Sequence, residues 1–259
     1  MLIDSHCHLD RLDLVRAGTS LDGLLDAARA RGVGGFVTVG VDLESSRQLA
    51  ALATGYADVY VSVGAHPLQE TEIAVPEVEA LLALGRLDRV VAIGETGLDN
   101  HYSAATAEWQ RRSFVNHMVA ARELGKPLIV HTREARQETL DLLSRHACPD
   151  SGGVLHCFTE DWAMARAAIE RNFYISFSGI ITFRNADALR EVVRQVPMER
   201  LLVETDSPWL APVPYRGKQN EPGYVVEVAA EVARIKGLDI EEVAAVTSEN
   251  CRRLFRLPG

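Results

Sequence analysis

The chain has 259 residues with 36 acidic against 27 basic side chains, a formal charge of −9 that argues against a broad polyanion-binding surface. At 47% hydrophobic and 24% charged residues it has ample material for a core, which excludes disorder. The length suits two small domains or one α/β barrel, which typically takes about 250 residues.

Short β-rich apolar runs recur in chain order at Leu2 to His6, Gly35 to Val39, Val59 to Val63 and Val90 to Ile93. They continue at Leu128 to Val130, Val154 to His156, Tyr174 to Phe177 and Leu201 to Glu204. Segments of helical period lie between them, such as Leu21-Leu24-Leu25-Ala28 and Leu140-Leu143, with Gly32, Gly55, Gly85, Gly125 or Asn172 as stop signals. Eight βα units in 259 residues leave roughly 32 residues each, enough for a strand, a helix and two short loops. The pattern predicts an α/β chain closed into a single (β/α)8 TIM barrel over residues 1–259. The loop from Asp206 to Tyr224, with Pro208, Pro212, Pro214 and Pro222, cannot be helical throughout and is long for a connection. Helices are expected from Val225, with Val228, Val232 and Ile235 on one face, and from Ile240 to Phe255.

Strand alternation puts His6 and His8 on one face at the end of the first strand and turns Cys7 to the other. Glu95, His131, His156 and Asp206 fall at the ends of later strands. Parallel barrel strands share one C-terminal mouth, so these residues are expected to converge there. Four imidazoles and two carboxylates are too many for one tetrahedral ion and suit two divalent cations sharing a carboxylate. Such a pair acidifies a water and stabilises charge on a phosphoryl or carbonyl oxygen, which makes hydrolysis the expected reaction. Asp206 is also a candidate general base.

The chain resembles the TatD-type metal-dependent hydrolases of the amidohydrolase superfamily. The resemblance runs through Asp4-Ser-His-Cys-His-Leu-Asp10, Gly64-Ala-His-Pro67, Ile93-Gly-Glu-Thr-Gly-Leu-Asp99, Lys126-Pro-Leu-Ile-Val-His-Thr-Arg133, His156-Cys-Phe158, Ser176-Phe-Ser-Gly-Ile180 and Glu204-Thr-Asp-Ser-Pro208. It implies one ion among His6, His8, Glu95 and Asp206, a second among Glu95, His131 and His156, and Glu95 as the bridge. It also implies a deoxyribonuclease that trims DNA from 3′ ends. The same site could hydrolyse an ester or amide, as in a D-aminoacyl-tRNA deacylase, and a third reading is a metal-binding protein without turnover. Imidazole and carboxylate ligands suit zinc, manganese, iron or nickel better than magnesium, although the family's nucleases are often described with magnesium. Asn100-His101 departs from the aromatic residue that many relatives carry after the aspartate.

His66, after the third strand, is expected to touch substrate or to be a loop histidine fixed by hydrogen bonds. Arg133, Arg184, Arg216 and Lys218 follow predicted strands and would bring positive charge to the mouth for a phosphate. Trp209 either stacks on a base or supports its loop. Packing roles are expected for Cys7, Cys157, Trp109, Trp162 and Phe114, while His101, His117 and His146 are expected to be exposed or capping. Cysteines Cys7, Cys148, Cys157 and Cys251 form no CxxC pair, and with no secretory leader or membrane-length apolar run they point to a cytoplasmic protein with free thiols.

Overall fold

A computed structural model describes residues 1–69, 73–102 and 104–258. Eight parallel strands lie in sequence order: β1 (Leu2–Cys7), β2 (Val33–Val39), β3 (Val59–Val63), β4 (Val90–Asp99), β5 (Leu128–Arg133), β6 (Gly153–Leu155), β7 (Phe173–Phe177) and β8 (Leu201–Val203). The backbone amides of His8 and Asp206 bond to the carbonyls of Ser207 and His6, at 2.8 and 2.9 Å, and join the end of β1 to the segment after β8. The buried Asp4 carboxylate reinforces this seam by accepting from the Thr205 amide and hydroxyl at 2.8 and 2.6 Å. The architecture is the expected (β/α)8 barrel.

The helices are α1 (Leu14–Ala17), α2 (Leu21–Ala30), α3 (Leu43–Ala53), α4 (Val78–Gly85), α5 (Ala107–Leu124), α6 (Arg136–His146), α7 (Trp162–Ile169), α8 (Asp187–Gln195), α9 (Val225–Lys236) and α10 (Ile240–Phe255). The local chemistry explains their limits. Ser20, Asp42 and Asp161 each accept a backbone N–H at the start of α2, α3 and α7, and Gly125 closes α5 in the left-handed region at φ 62°. Gly85 is not a stop signal: it is the last residue of α4, and a Cβ there would strike the Leu124 side chain of α5. In α2, Leu24, Leu25 and Ala28 are buried, as their spacing predicts.

Two apolar layers result. One joins the strands to the helices and includes Phe36, Phe114, Phe173 and Phe177. The other fills the barrel lumen, where Ile3, Val37, Ala92, Ile129, Val154 and Leu202 meet Leu254 and Phe255 of α10. Because α10 packs against β1 and β8 at this floor, polar side chains gather at the opposite end. The largest departure from the sequence reading is β4, which continues to Asp99 rather than ending near Ile93. Gly94 and Gly97 permit this. Both have positive φ, 136° and 140°, and a Cβ on either would collide with the Ile129 or His131 carbonyl oxygen of β5.

Candidate metal centre

The β1 alternation behaves as expected: His6 and His8 project together with their Nε2 atoms 3.1 Å apart. Glu95, at 2% exposure, lies between them and the histidines of the neighbouring strands. Its Oε2 is 3.4 Å from His6 Nε2 and 3.8 Å from His8 Nε2. Its Oε1 is 2.6 Å from His156 Nε2, 3.3 Å from His66 Nε2 and 3.4 Å from His131 Nδ1. One carboxylate therefore turns each oxygen toward a different set of imidazoles. Asp206 Oδ1 completes the Oε2 side at 3.5 Å from His8 and 3.8 Å from His6.

Among the described residues, three groups of side chains have ligand atoms close enough to hold an ion: His6, His8 and Glu95; His6, His156 and Asp206; and His66, Glu95 and His131. His156 stacks on His6, with centroids 3.9 Å apart, and so faces both sides of Glu95. The donor set fits a divalent cation, since imidazole nitrogens and carboxylate oxygens converge and, among the described residues, no lysine or arginine forms an ion pair with Glu95 or Asp206. His156 Nε2 is buried 2.6 Å from Glu95 Oε1 without a well-directed hydrogen bond among the described residues.

The electrostatics reflect the crowding. Burial alone would raise the Glu95 carboxyl, but the charge of His156 and the hydrogen bonds of His131 and His156 outweigh it and hold the group well below the usual carboxylate range. Burial opposes charge on His156, yet Glu95 and Glu204 raise it well above the usual imidazole value. Burial and the neighbouring His156 charge lower His6.

Outer partners select the nitrogen that each ring presents. His8 Nδ1 donates to the Val39 carbonyl at 3.0 Å, which turns Nε2 to the centre. His131 Nε2 donates to Asp99 Oδ2 at 2.9 Å, leaving Nδ1 for Glu95. Glu204 Oε1 lies 3.4 Å from His156 Nδ1 and accepts the Cys157 amide at 2.7 Å. The sequence reading gave Asp99 and Glu204 no role, although a period of two places Asp99 on the Glu95 face of β4. Asp99→Asn is expected to weaken metal binding about 10- to 100-fold, in keeping with the usual cost of removing such a partner, measured by chelator competition. Unchanged affinity would remove the orienting role.

His66 joins the cluster. The Leu68 amide donates to its Nδ1 at 3.0 Å, so the neutral ring carries its proton on Nε2 and presents a donor to the site. The preceding residue, Ala65, is held by an unanticipated one. His117 is fully buried in α5, not exposed or capping; its Nδ1 donates to the Ser113 carbonyl at 2.7 Å and its Nε2 accepts the Ala65 amide at 3.0 Å. Burial pushes His117 down to about 4, so it stays neutral. His101 is exposed and pairs with Glu134 at 2.8 Å, and Asn100 donates to the Glu134 carbonyl.

A cavity of about 780 Å³ opens over the cluster. Arg133 lies on its wall, and the sequence reading missed Arg11 and Tyr102 there. Arg184, Arg216 and Lys218 are exposed and do not line it. The Arg216 guanidinium sits 3.7 Å from the Phe183 ring centroid, while Lys218 Nζ is 6.0 Å from that of Tyr215. Cys7 packs away from the cluster as expected, but Cys157 does not: β6 ends at Leu155, Cys157 has φ 42°, and the residue lines the cavity. Phe114 is buried and Trp162 packs against the core, whereas Trp109 Nε1 donates to the Ile73 carbonyl at 2.8 Å. Trp209 also lines the cavity, 49% exposed, with its ring edge-on to His8 at 5.0 Å. Asn220 holds the Trp209 carbonyl at 2.6 Å.

No helix of the described residues is long and apolar enough to cross a membrane. The chain is 48% identical over 256 residues to the uncharacterized metal-dependent hydrolase YcfH of Escherichia coli K12, covering 99% of this chain and 96% of that protein. It is 36% identical to the 3′-5′ ssDNA/RNA exonuclease TatD of Citrobacter rodentium, covering 90% and 91% of the two chains. The crystal structure of YjjV, a TatD homologue from Escherichia coli, superposes with a TM-score of 0.91 at 28% identity over 99% of this chain and 98% of its own. The TatD related DNase family profile matches residues 3–256, and the chain belongs to that family of metal-dependent hydrolases.

Proposed function

We propose that the protein is a binuclear divalent-metal phosphodiesterase that removes nucleotides from DNA 3′ ends. The observation that carries the reading is Glu95, whose two oxygens face separate sets of imidazoles in the manner of a shared ligand. The TatD exonuclease of Citrobacter rodentium supports the choice of substrate. In this reading His6, His8, Glu95 and Asp206 hold one cation, and Glu95, His131 and His156 hold the other. When bound, the cations supply Lewis acidity, which acidifies a water and stabilises charge developing on the phosphoryl oxygens.

The chain's own groups do the rest. Asp206, on the cavity wall, accepts the proton as water oxygen bonds to phosphorus and the phosphorus–oxygen bond to the leaving sugar breaks. His66 Nε2–H is aimed at Glu95 Oε1 from the cavity wall, where it can donate to a substrate oxygen. Arg133 offers a planar donor pair to phosphate. Ile180 and Leu210 give the cavity apolar wall that excludes bulk water.

The test supplies 5′-labelled single-stranded DNA to protein stripped of metal and reloaded in turn with zinc, manganese, magnesium, iron or nickel. Stepwise nucleotide release that chelator abolishes is the expected result; no release with any ion overturns it. Acyl release from a D-aminoacyl-tRNA without phosphodiester cleavage would place the same centre in ester hydrolysis. Metal removal should also lower the melting temperature, since a ligand at 100 times its Kd stabilises the folded state by about 2.7 kcal/mol.

A further inference from the structure

We propose that the cavity contains two nucleotide subsites on opposite sides of the Glu95 cluster, so that the smallest fully recognised substrate is a dinucleotide spanning it. The inference rests on the phosphodiesterase reading. In an eight-stranded ring, the adjoining ends of β8 and β1 lie across the mouth from those of β4 and β5. Each of these two sides carries one exposed aromatic ring and one guanidinium.

On the β8/β1 side, Trp209 is 49% exposed and Arg11 follows β1. Arg11 lies 3.2 Å from Asp10 and 3.7 Å from Asp42, but these are solvent-exposed pairs of the kind a phosphate readily exchanges. On the β4/β5 side, Tyr102 is 67% exposed and the Arg133 guanidinium lies 5.5 Å from its ring centroid. No carboxylate of the described residues forms an ion pair with Arg133.

The intervening walls differ. Leu68 and Ile73 follow β3, whereas Ile180 and Leu210 follow β7 and β8; all four line the cavity and are apolar. The paired rings and guanidiniums therefore lie at the two ends of the mouth, with Leu68, Ile73 and Ile180 beside the polar Asp42, Gln69 and Thr159 between them and the metal ligands below. A ring plus a guanidinium matches the base and phosphate of one nucleotide, because bases stack on aromatic faces and phosphates pair with arginine. At about 780 Å³ the cavity is in the upper part of the roughly 300–1,000 Å³ range of ligand pockets. With two arginines making the phosphate contacts, the arrangement also accommodates a strand end on a chain of net charge −9.

The experiment compares the metal-loaded protein on the dinucleotide TpT and on the methyl esters of thymidine 3′-phosphate and thymidine 5′-phosphate, which keep one nucleoside each. TpT should exceed both esters in kcat/KM by about tenfold, as expected for one added stacking contact. Trp209→Ala and Tyr102→Ala should each lower TpT turnover by a similar factor, and each ester should respond to only one of them. Trp209→Phe and Tyr102→Phe should restore most of the loss, separating stacking from loop collapse. Binding of a single-stranded oligonucleotide should have a log–log salt slope of about −1.4, reduced by about 0.7 in Arg11→Gln or Arg133→Gln. A TpT preference absent in the wild type, or both alanine variants acting on the same ester, overturns the two-subsite arrangement while leaving the phosphodiesterase reading intact. Absence of turnover on all three substrates with every ion overturns both.

Discussion

Glu95→Ala is expected to abolish turnover, by roughly 10³-fold or more, because several kcal/mol of charge stabilisation are at stake and each 1.4 kcal/mol is a factor of ten. Glu95 oxygens lie within 4 Å of His6, His8, His66, His131 and His156, so removing them leaves buried imidazoles without their common acceptor. Metal content should fall with activity, and Glu95→Gln, which keeps the volume but not the charge, should resemble the alanine variant. The effect on the metal-free protein has a definite sign. The folded Glu95 carboxyl titrates below its ordinary value, so its stabilising contribution is present above the ordinary carboxylate range and is lost as pH falls through the lowered folded value. The variant should therefore lose stability relative to wild type near neutral pH and converge with it in acid. Activity within tenfold of wild type at full metal occupancy would remove Glu95 from the shared-ligand position.

The parts legible from sequence were those governed by backbone periodicity. A period of two placed His6 and His8 together, and parallel strands carried Glu95, His131, His156 and Asp206 to one mouth, because every βα unit returns its strand in the same sense. Periodicity stopped helping where the chain left the ideal strand. Cys157 and Asp206 adopt positive φ, 42° and 57°, so alternation no longer sets their direction. The extension of β4 depended on glycines whose purpose is visible only against β5. Long side chains on loops were the least readable. Following a strand did not distinguish Arg133, which lines the cavity, from Arg216, which stacks on Phe183. His117 belongs to another class: helical spacing gives a residue's face, but not that a loop amide will need an acceptor there.

Asp206→Asn is the second change expected to have a large effect, lowering turnover by about 10²- to 10⁴-fold, the usual range for loss of a general base. Its position explains the expectation. The carboxylate is 3.5 Å from His8 and 3.8 Å from His6, and its side chain keeps 14% exposure to the cavity. Burial would raise its carboxyl, but the His8 hydrogen bond and the His6 and His156 charges hold it below the ordinary value, so it is ionised at neutral pH. The left-handed backbone at φ 57° is one that aspartate tolerates better than most residues, and the Asp206 amide is fixed to the His6 carbonyl at 2.9 Å. Asparagine retains the shape and one oxygen able to face a cation but cannot accept a proton from water. Two roles can thus be separated by raising the metal concentration. If Asp206 acts only as a ligand, excess metal should restore Asp206→Asn toward wild type while Asp206→Ala stays low. If it accepts the proton, both variants should remain slow at saturating metal with an unchanged melting temperature. Near-normal turnover of metal-saturated Asp206→Asn would eliminate the proton-accepting role.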